Sequence, residues 1–209
     1  MYIPAAFNEQ SPQIAFDLIE EIRLGSLITQ GRPILVSHIP FMVDRDRGDH
    51  GTLIGHVSKA NPQWEHLTEN AEVLVTFLGP NAYISPSWYA TSPRAPTWTY
   101  ISVHVYGKAT LVRAEPELTA MVARLSNTME PSDSSWSFSG LPEAHVSKLV
   151  KGIVGFEITI TRIETQLRLG QNNSVEDRRR VGAALTSRNG LNDSAVSKLM
   201  SRFSFRDHD

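Results

Sequence analysis

Residues 152–163 alternate as a pleated strand must: Val154, Phe156, Ile158 and Ile160 share one face, and Glu157, Thr159 and Thr161 the other. Residues 165–169 continue it as strand or extended chain. A second alternating stretch starts at Trp98. Thr99, Ile101, Val103 and Val105 make an apolar, core-type face, while Trp98, Tyr100, Ser102, His104 and Tyr106 share the opposite one; after Gly107 the strand runs on to Val112. Residues 72–78 are almost uninterruptedly apolar and predict a central strand covered on both faces, broken by Gly79-Pro80. Residues 27–30 and 34–43 predict a hairpin turned at Gly31-Arg32-Pro33, with Pro40 at an edge or a bend. Residues 51–58 predict a further strand.

Helical spacing fills the gaps. Ser11-Pro12 starts a helix that repeats apolar side chains at Ile14, Leu18 and Ile22 and ends at Gly25. Asn61-Pro62 opens a short helix through Trp64 and Leu67, and Leu118, Met121, Val122 and Leu125 mark the buried face of another. Residues 130–140 read as a Ser-rich loop anchored by Trp136 and Phe138, and residues 142–150 as a helix. Ser174 caps a helix running to about Ser187, with Glu176 and Asp177 in its first turn and Arg178 to Arg180 facing solvent, paired with those acids. Arg188-Asn189-Gly190 turns into a last helix with Val196, Leu199, Met200 and Phe203 apolar, and a frayed tail beyond Phe205. Short strands with inserted and appended helices favour a small barrel over a doubly wound sheet. Residues 1–170 form the barrel domain, and 171–209 a helical pair packed on it.

Composition narrows the chemistry. The 209 residues are 41% hydrophobic and 20% charged, as in ordinary globular proteins, and contain no cysteine, which excludes disulfides and thiolate chemistry. A formal net charge of −2 gives no global attraction to nucleic acid or anionic membranes. No basic start with an apolar run and no segment of roughly 20 apolar residues points to export or a membrane, so a cytoplasmic protein is expected. Phosphate-loop and dinucleotide fingerprints are absent, as is a nucleophile elbow.

The run Tyr83-Ile-Ser-Pro-Ser-Trp-Tyr89, followed by Pro96-Thr-Trp-Thr-Tyr100, gathers rings with polar tips. Such a face suits a flat ligand, a second subunit or the chain's own helices, and the residues alone leave all three open. His38, His56 and His104 each fall on a predicted strand and could meet in space; His56 follows Gly55, where a missing side chain lets something approach. Lys59 supplies a cation, and Asn61 caps the helix after it; the pair would suit a phosphate, or be solvated charge and plain cap. The last two helices could also be read as a helix-turn-helix, though Ser194, Ser197, Lys198 and Arg202 make a thin reading surface.

Read together, the motifs resemble the PaiB-like family of the FMN-binding split-barrel superfamily. They are Met1 to Phe7, Ser37-His-Ile-Pro40, Gly55-His56, Ala60-Asn-Pro-Gln-Trp64, Gly79-Pro80, the Tyr83 and Pro96 runs, Val103-His104, Gly152-Ile-Val-Gly155 and Gln171-Asn172. The resemblance implies a mainly β, α+β fold, a six-stranded antiparallel split β-barrel with peripheral helices. It also implies a homodimer with FMN at the subunit interface and a role as a negative transcriptional regulator; DNA binding rests on that alone.

For the site it implies rings from Trp88, Tyr89 and Trp98, polar contacts from Ser85, Asn61, Thr99 and Gln171, a phosphate partner in Lys59 or Arg168, and pocket lining by His56 and His104. Haem-dependent relatives, one forming an N–N bond in piperazate synthesis, offer an alternative in which haem b is held by His56. Thr99 stands where the family usually has Asn, and Gly170 where it has a Ser within a Lys-Leu-Ser-Gln-Asn run. A chain that retains no cofactor is the remaining alternative, its aromatic face then being only an interface.

Overall fold

The computed structural model describes residues 1–68 and 70–203; the tail expected beyond Phe205 lies outside them. Strands are β1 (Asn8–Glu9), β2 (Leu24–Thr29), β3 (Leu35–Pro40), β4 (Met42–Asp44), β5 (Thr52–Ser58), β6 (Ala71–Ile84), β7 (Thr97–Val112) and β8 (Ile153–Arg168). Helices are α1 (Pro12–Ile22), α2 (Glu115–Met129), α3 (Glu143–Val150), α4 (Val175–Arg188) and α5 (Asp193–Phe203). The hydrogen-bonded order is β3-β2-β6-β7-β8-β5-β4, with β1 added on β8. Among the described residues the sheet thus has eight strands where six were expected. Phe41 separates β3 from β4 just after Pro40, at the expected bend, and the two-residue β1 is too short to show a period.

The chain divides into two compact units. One, here the histidine unit, comprises Ile19–Phe77 and His104–Ile163. The other, the aromatic unit, comprises Met1–Leu18, Leu78–Val103 and the described part of 164–209.

In the histidine unit β2 pairs antiparallel with β3 and β6, and β5 with β4 and β8. The side-chain period of two sends Phe41, Phe77 and Phe156 to one core, where Phe41 meets the other two edge to face at 5.6 and 6.2 Å. A second cluster, Met42, Ile54, Val112, Leu118, Met121 and Val150, forms where α2 and α3 cover the sheet. Three expectations change here. The helix predicted to end at Gly25 ends at Ile22, because Arg23 takes the left-handed turn (φ 58°) and Gly25 joins β2. The 72–78 strand is not covered on both faces: Val73, Val75 and Phe77 are buried while Leu74 and Thr76 are half-buried. Trp136 is exposed and does not anchor its loop.

In the aromatic unit β6 continues through Gly79-Pro80 rather than breaking there. Burial passes from Gly79 to Ala82 and Ile84, so the alternation skips a residue at Pro80-Asn81, as at a β-bulge, where a missing N–H is tolerated. β1 pairs with β8, setting Asn8 opposite Gln166. α4 starts as predicted, with Ser174 Oγ accepting from Asp177 N, and ends at left-handed Asn189 (φ 51°). Val181 and Leu185 of α4 and Val196, Leu199, Met200 and Phe203 of α5 are buried.

Candidate functional site

The residues singled out from sequence fall in both units. In the histidine unit, His56 sits on β5 opposite Gly155 of β8. A Cβ at Gly155 would lie 2.6 Å from Leu118 Cδ2 and 3.1 Å from Met121 Sδ, so α2 presses directly on the backbone beside His56. His56 Nδ1 is buried and has no hydrogen-bond partner among the described residues. Burial lowers its pKa, favouring neutral imidazole, the form that ligates a metal. The approach expected at Gly55 is made by the protein's own core: a Cβ there would lie 3.1 Å from Phe156 Cζ and 3.3 Å from Phe41 Cε1.

His104 is half-buried on β7, two residues from Tyr106 on the same strand face. His38 hydrogen-bonds Ser26 Oγ at 2.9 Å, and among the described residues no group of three or more His, Asp or Glu is placed to hold a metal ion. The three strand histidines are therefore not a metal cluster.

Lys59 is exposed; its N–H donates to Gly152 O and its carbonyl accepts from Trp64 Nε1. Asn61 is spent on structure: Oδ1 caps Gln63 N at 3.0 Å and Nδ2 donates to Ser37 Oγ at 2.8 Å. The next residue group was not anticipated. Gln63 is fully buried, and Nε2 donates to Leu27 O (2.9 Å) and Leu35 O (3.1 Å), tying the two strands of the β2–β3 hairpin together. The Asn-Pro-Gln-Trp motif of the sequence is a hairpin lock.

The aromatic unit holds the remaining candidates. Trp98 is 54% exposed and meets Tyr83, 39% exposed, edge to face at 6.3 Å. Ser85 caps the 3-10 turn Pro86–Trp88, accepting from Ser87 N. Trp88 is covered by the Arg188 guanidinium at 4.9 Å and Tyr89 by that of Arg94 at 4.8 Å, both within cation–π range. Burial raises the Tyr89 pKa, keeping the phenol protonated.

Arg168 donates from Nε to Trp98 O (3.1 Å) and from Nη2 to Thr97 Oγ1 (3.0 Å), and lies 5.2 Å over the Phe7 ring; Nη1 takes part in neither bond. Gln171 folds back, Oε1 accepting from Leu169 N and Nε2 donating to Leu167 O. Gly170 makes this possible at φ +79°, a conformation that strains other residues, which accounts for glycine at this position. Thr99 is 5% exposed on the core face with Ile101 and Val103, turned away from the face that carries Trp98 and Tyr100.

Half-exposed rings beside a tethered guanidinium are what a planar anionic ligand needs: stacking surface and a bidentate-capable cation. Residues 1–162 match the family described as "Putative FMN-binding domain". The chain belongs to this PaiB-like family.

Among its relatives is the protease synthase and sporulation protein PAI 2 of Bacillus subtilis, 32% identical over 202 residues and 96% of each chain. Two solved structures share the fold. The flavocytochrome Anf3 of Azotobacter vinelandii matches with a TM-score of 0.62 at 15% identity, over 78% of this chain and 69% of that one. The FAD and haem binding protein of Mycobacterium smegmatis matches with a TM-score of 0.55 at 16% identity, over 82% and 78%. This PaiB-like chain is therefore a mainly β, antiparallel split barrel with helices, as expected from the resemblance.

The sequence pointed to Tyr83 only as part of the aromatic run, and Arg94 and Arg188 were not expected in the site. A signal existed for Arg94, a lone cation between Pro93 and Pro96 in an otherwise uncharged loop. Arg188 carried none, because the residues it meets in the aromatic run, Tyr83 and Trp88, lie far upstream in sequence.

Proposed function

We propose that this PaiB-like chain binds a flavin, FMN first, and serves a regulatory or redox-sensing role as a cytoplasmic homodimer. The observation that carries the reading is the Trp98–Tyr83 pair, left half-exposed beside Arg168, in a chain of the FMN-binding family. Trp88 and Trp98 would face the isoalloxazine, and Arg168 Nη1 would meet the phosphate. Bound flavin supplies one- or two-electron chemistry, while the protein binds, orients and shields it. The test is titration of the purified chain with FMN, read by quenching of flavin fluorescence. Saturable quenching that weakens in Arg168→Ala supports the reading; no quenching sinks it.

The haem alternative is favoured by a different observation, the half-buried imidazole of His56, whose pKa burial lowers and whose buried Nδ1 is unpartnered among the described residues. His56 would be the residue that holds the haem iron. Addition of haemin should then produce a Soret shift that His56→Ala removes. A Soret shift that persists in that variant rules out His56. A role in transcription would require a protein–DNA complex at low salt in a gel-shift assay, where electrostatic association is strongest.

A further inference from the structure

Between the 3-10 turn and β7 the chain runs Tyr89-Ala-Thr-Ser-Pro-Arg-Ala-Pro96, a segment without helix or strand and with two prolines that donate nothing. Its backbone is held by one side chain of α4. The Asp177 carboxylate, 0% exposed, accepts at Oδ1 from Ala90 N (2.7 Å) and Thr91 N (3.2 Å). At Oδ2 it accepts from Thr91 Oγ1 (2.7 Å) and Arg94 Nη2 (2.5 Å). Arg94 reinforces the arrangement through Nε to Thr91 Oγ1 and Nη1 to Asn173 Oδ1. Four bonds from three loop residues converge on a single carboxylate, far more than a helix-start acid needs.

The other end of α4 holds the preceding residues. Arg188 makes a bidentate pair with Asp193, at 2.7 and 2.5 Å, and Asp193 also accepts from Gly190 N. So braced, the guanidinium donates from Nη1 to Tyr83 O (3.1 Å) and lies over Trp88. The aromatic run is thus gripped on both sides by one helix that lies beyond the family-matched residues 1–162.

We infer that α4 is the positioning element of the aromatic segment 83–94, with Asp177 and Arg188 as positioning residues that set how tightly its rings hold a flavin. This rests on the flavin-binding reading. The Asp177 carboxyl is held down to about 2, first by the Thr91 hydroxyl and then by the loop N–H groups and Arg94, so the clamp stays charged throughout the neutral range. Asp177→Asn presents an NH2 group to donors and loses the ion pair, whereas Arg188→Lys keeps the charge but loses the fork and the stack.

The full-length chain tests this with Asp177→Asn and Arg188→Lys, far-UV CD reporting fold. Without FMN, trypsin cleavage after Arg94 should be about tenfold faster in Asp177→Asn, because release of the guanidinium and loop opens that bond. The FMN Kd should rise about tenfold in Asp177→Asn and severalfold in Arg188→Lys, the scale of one lost charge-assisted hydrogen bond. A folded Asp177→Asn with unchanged cleavage and unchanged Kd overturns the inference. Should that variant fail to fold, an unchanged Kd in Arg188→Lys overturns it instead. If the wild-type chain binds no FMN, the flavin reading fails, and the trypsin comparison alone decides the positioning role.

Discussion

The two units spend their polar side chains in opposite ways. In the histidine unit the family's Asn-Pro-Gln-Trp motif is consumed by the fold: Asn61 caps and ties, and Gln63 locks a hairpin from a fully buried position. In the aromatic unit the backbone is held by a carboxylate and guanidiniums, and the rings of Tyr83 and Trp98 stay half-exposed. A polar motif shared with a family is therefore a poor pointer to its site until the partners are known. Exposed rings on an immobilised backbone are the better pointer, because burial would have stabilised them and they remain uncovered.

The contrast predicts which changes damage the fold and which damage binding. The largest effect on stability is expected for Phe156→Ala, which empties a fully buried site between Phe41 and the β5 backbone. Loss of transfer free energy plus a cavity should cost about 3–5 kcal/mol in urea unfolding. Gln63→Leu comes next. It fills similar volume but removes the amide that bonds the carbonyls of Leu27 and Leu35, and a cost of about 1–3 kcal/mol follows from the two lost hydrogen bonds. A loss below about 0.5 kcal/mol would mean that water replaces the amide, and that the motif is not a lock.

These two variants also show what the sequence could and could not disclose. The 154–160 alternation and the Ser174 and Asn189 ends of α4 were legible because each is set by residues within a few positions. The role of Asp177 was not. Its local pattern is that of a helix-start acid, yet its partners Ala90, Thr91 and Arg94 lie 87, 86 and 83 residues upstream. Gln63 was opaque for the same reason, bonding residues 36 and 28 positions away. Gly79-Pro80 misled in the other direction, since a bulge absorbs a proline that would break a regular strand. Site residues that act through long-range hydrogen bonds leave no periodic trace.

Trp98→Ala sharpens the comparison by separating the two quantities. The ring is 54% exposed, so unfolding free energy should fall by no more than about 1 kcal/mol. The FMN Kd should rise about tenfold, the scale of one lost aromatic stack. A variant that loses several kcal/mol of stability with unchanged Kd would make Trp98 a structural residue and erase the distinction drawn between the units.

The smallest effect concerns pH and His56. Burial lowers its folded pKa below the unfolded value near 6.5, so between those two values the unfolded chain binds the proton and the folded chain does not. Stability from this group is complete above about pH 6.5 and declines as pH falls through the window, levelling off below the folded pKa. His56→Gln should flatten that decline in urea midpoints taken from pH 7.5 to pH 5, leaving other pH-dependent terms in place. The sign matters for the haem alternative: iron and a proton compete for the same nitrogen lone pair, and burial disfavours the proton. An unchanged slope in His56→Gln would show that the imidazole reaches solvent in the folded chain, and it would remove the observation on which the haem reading stands.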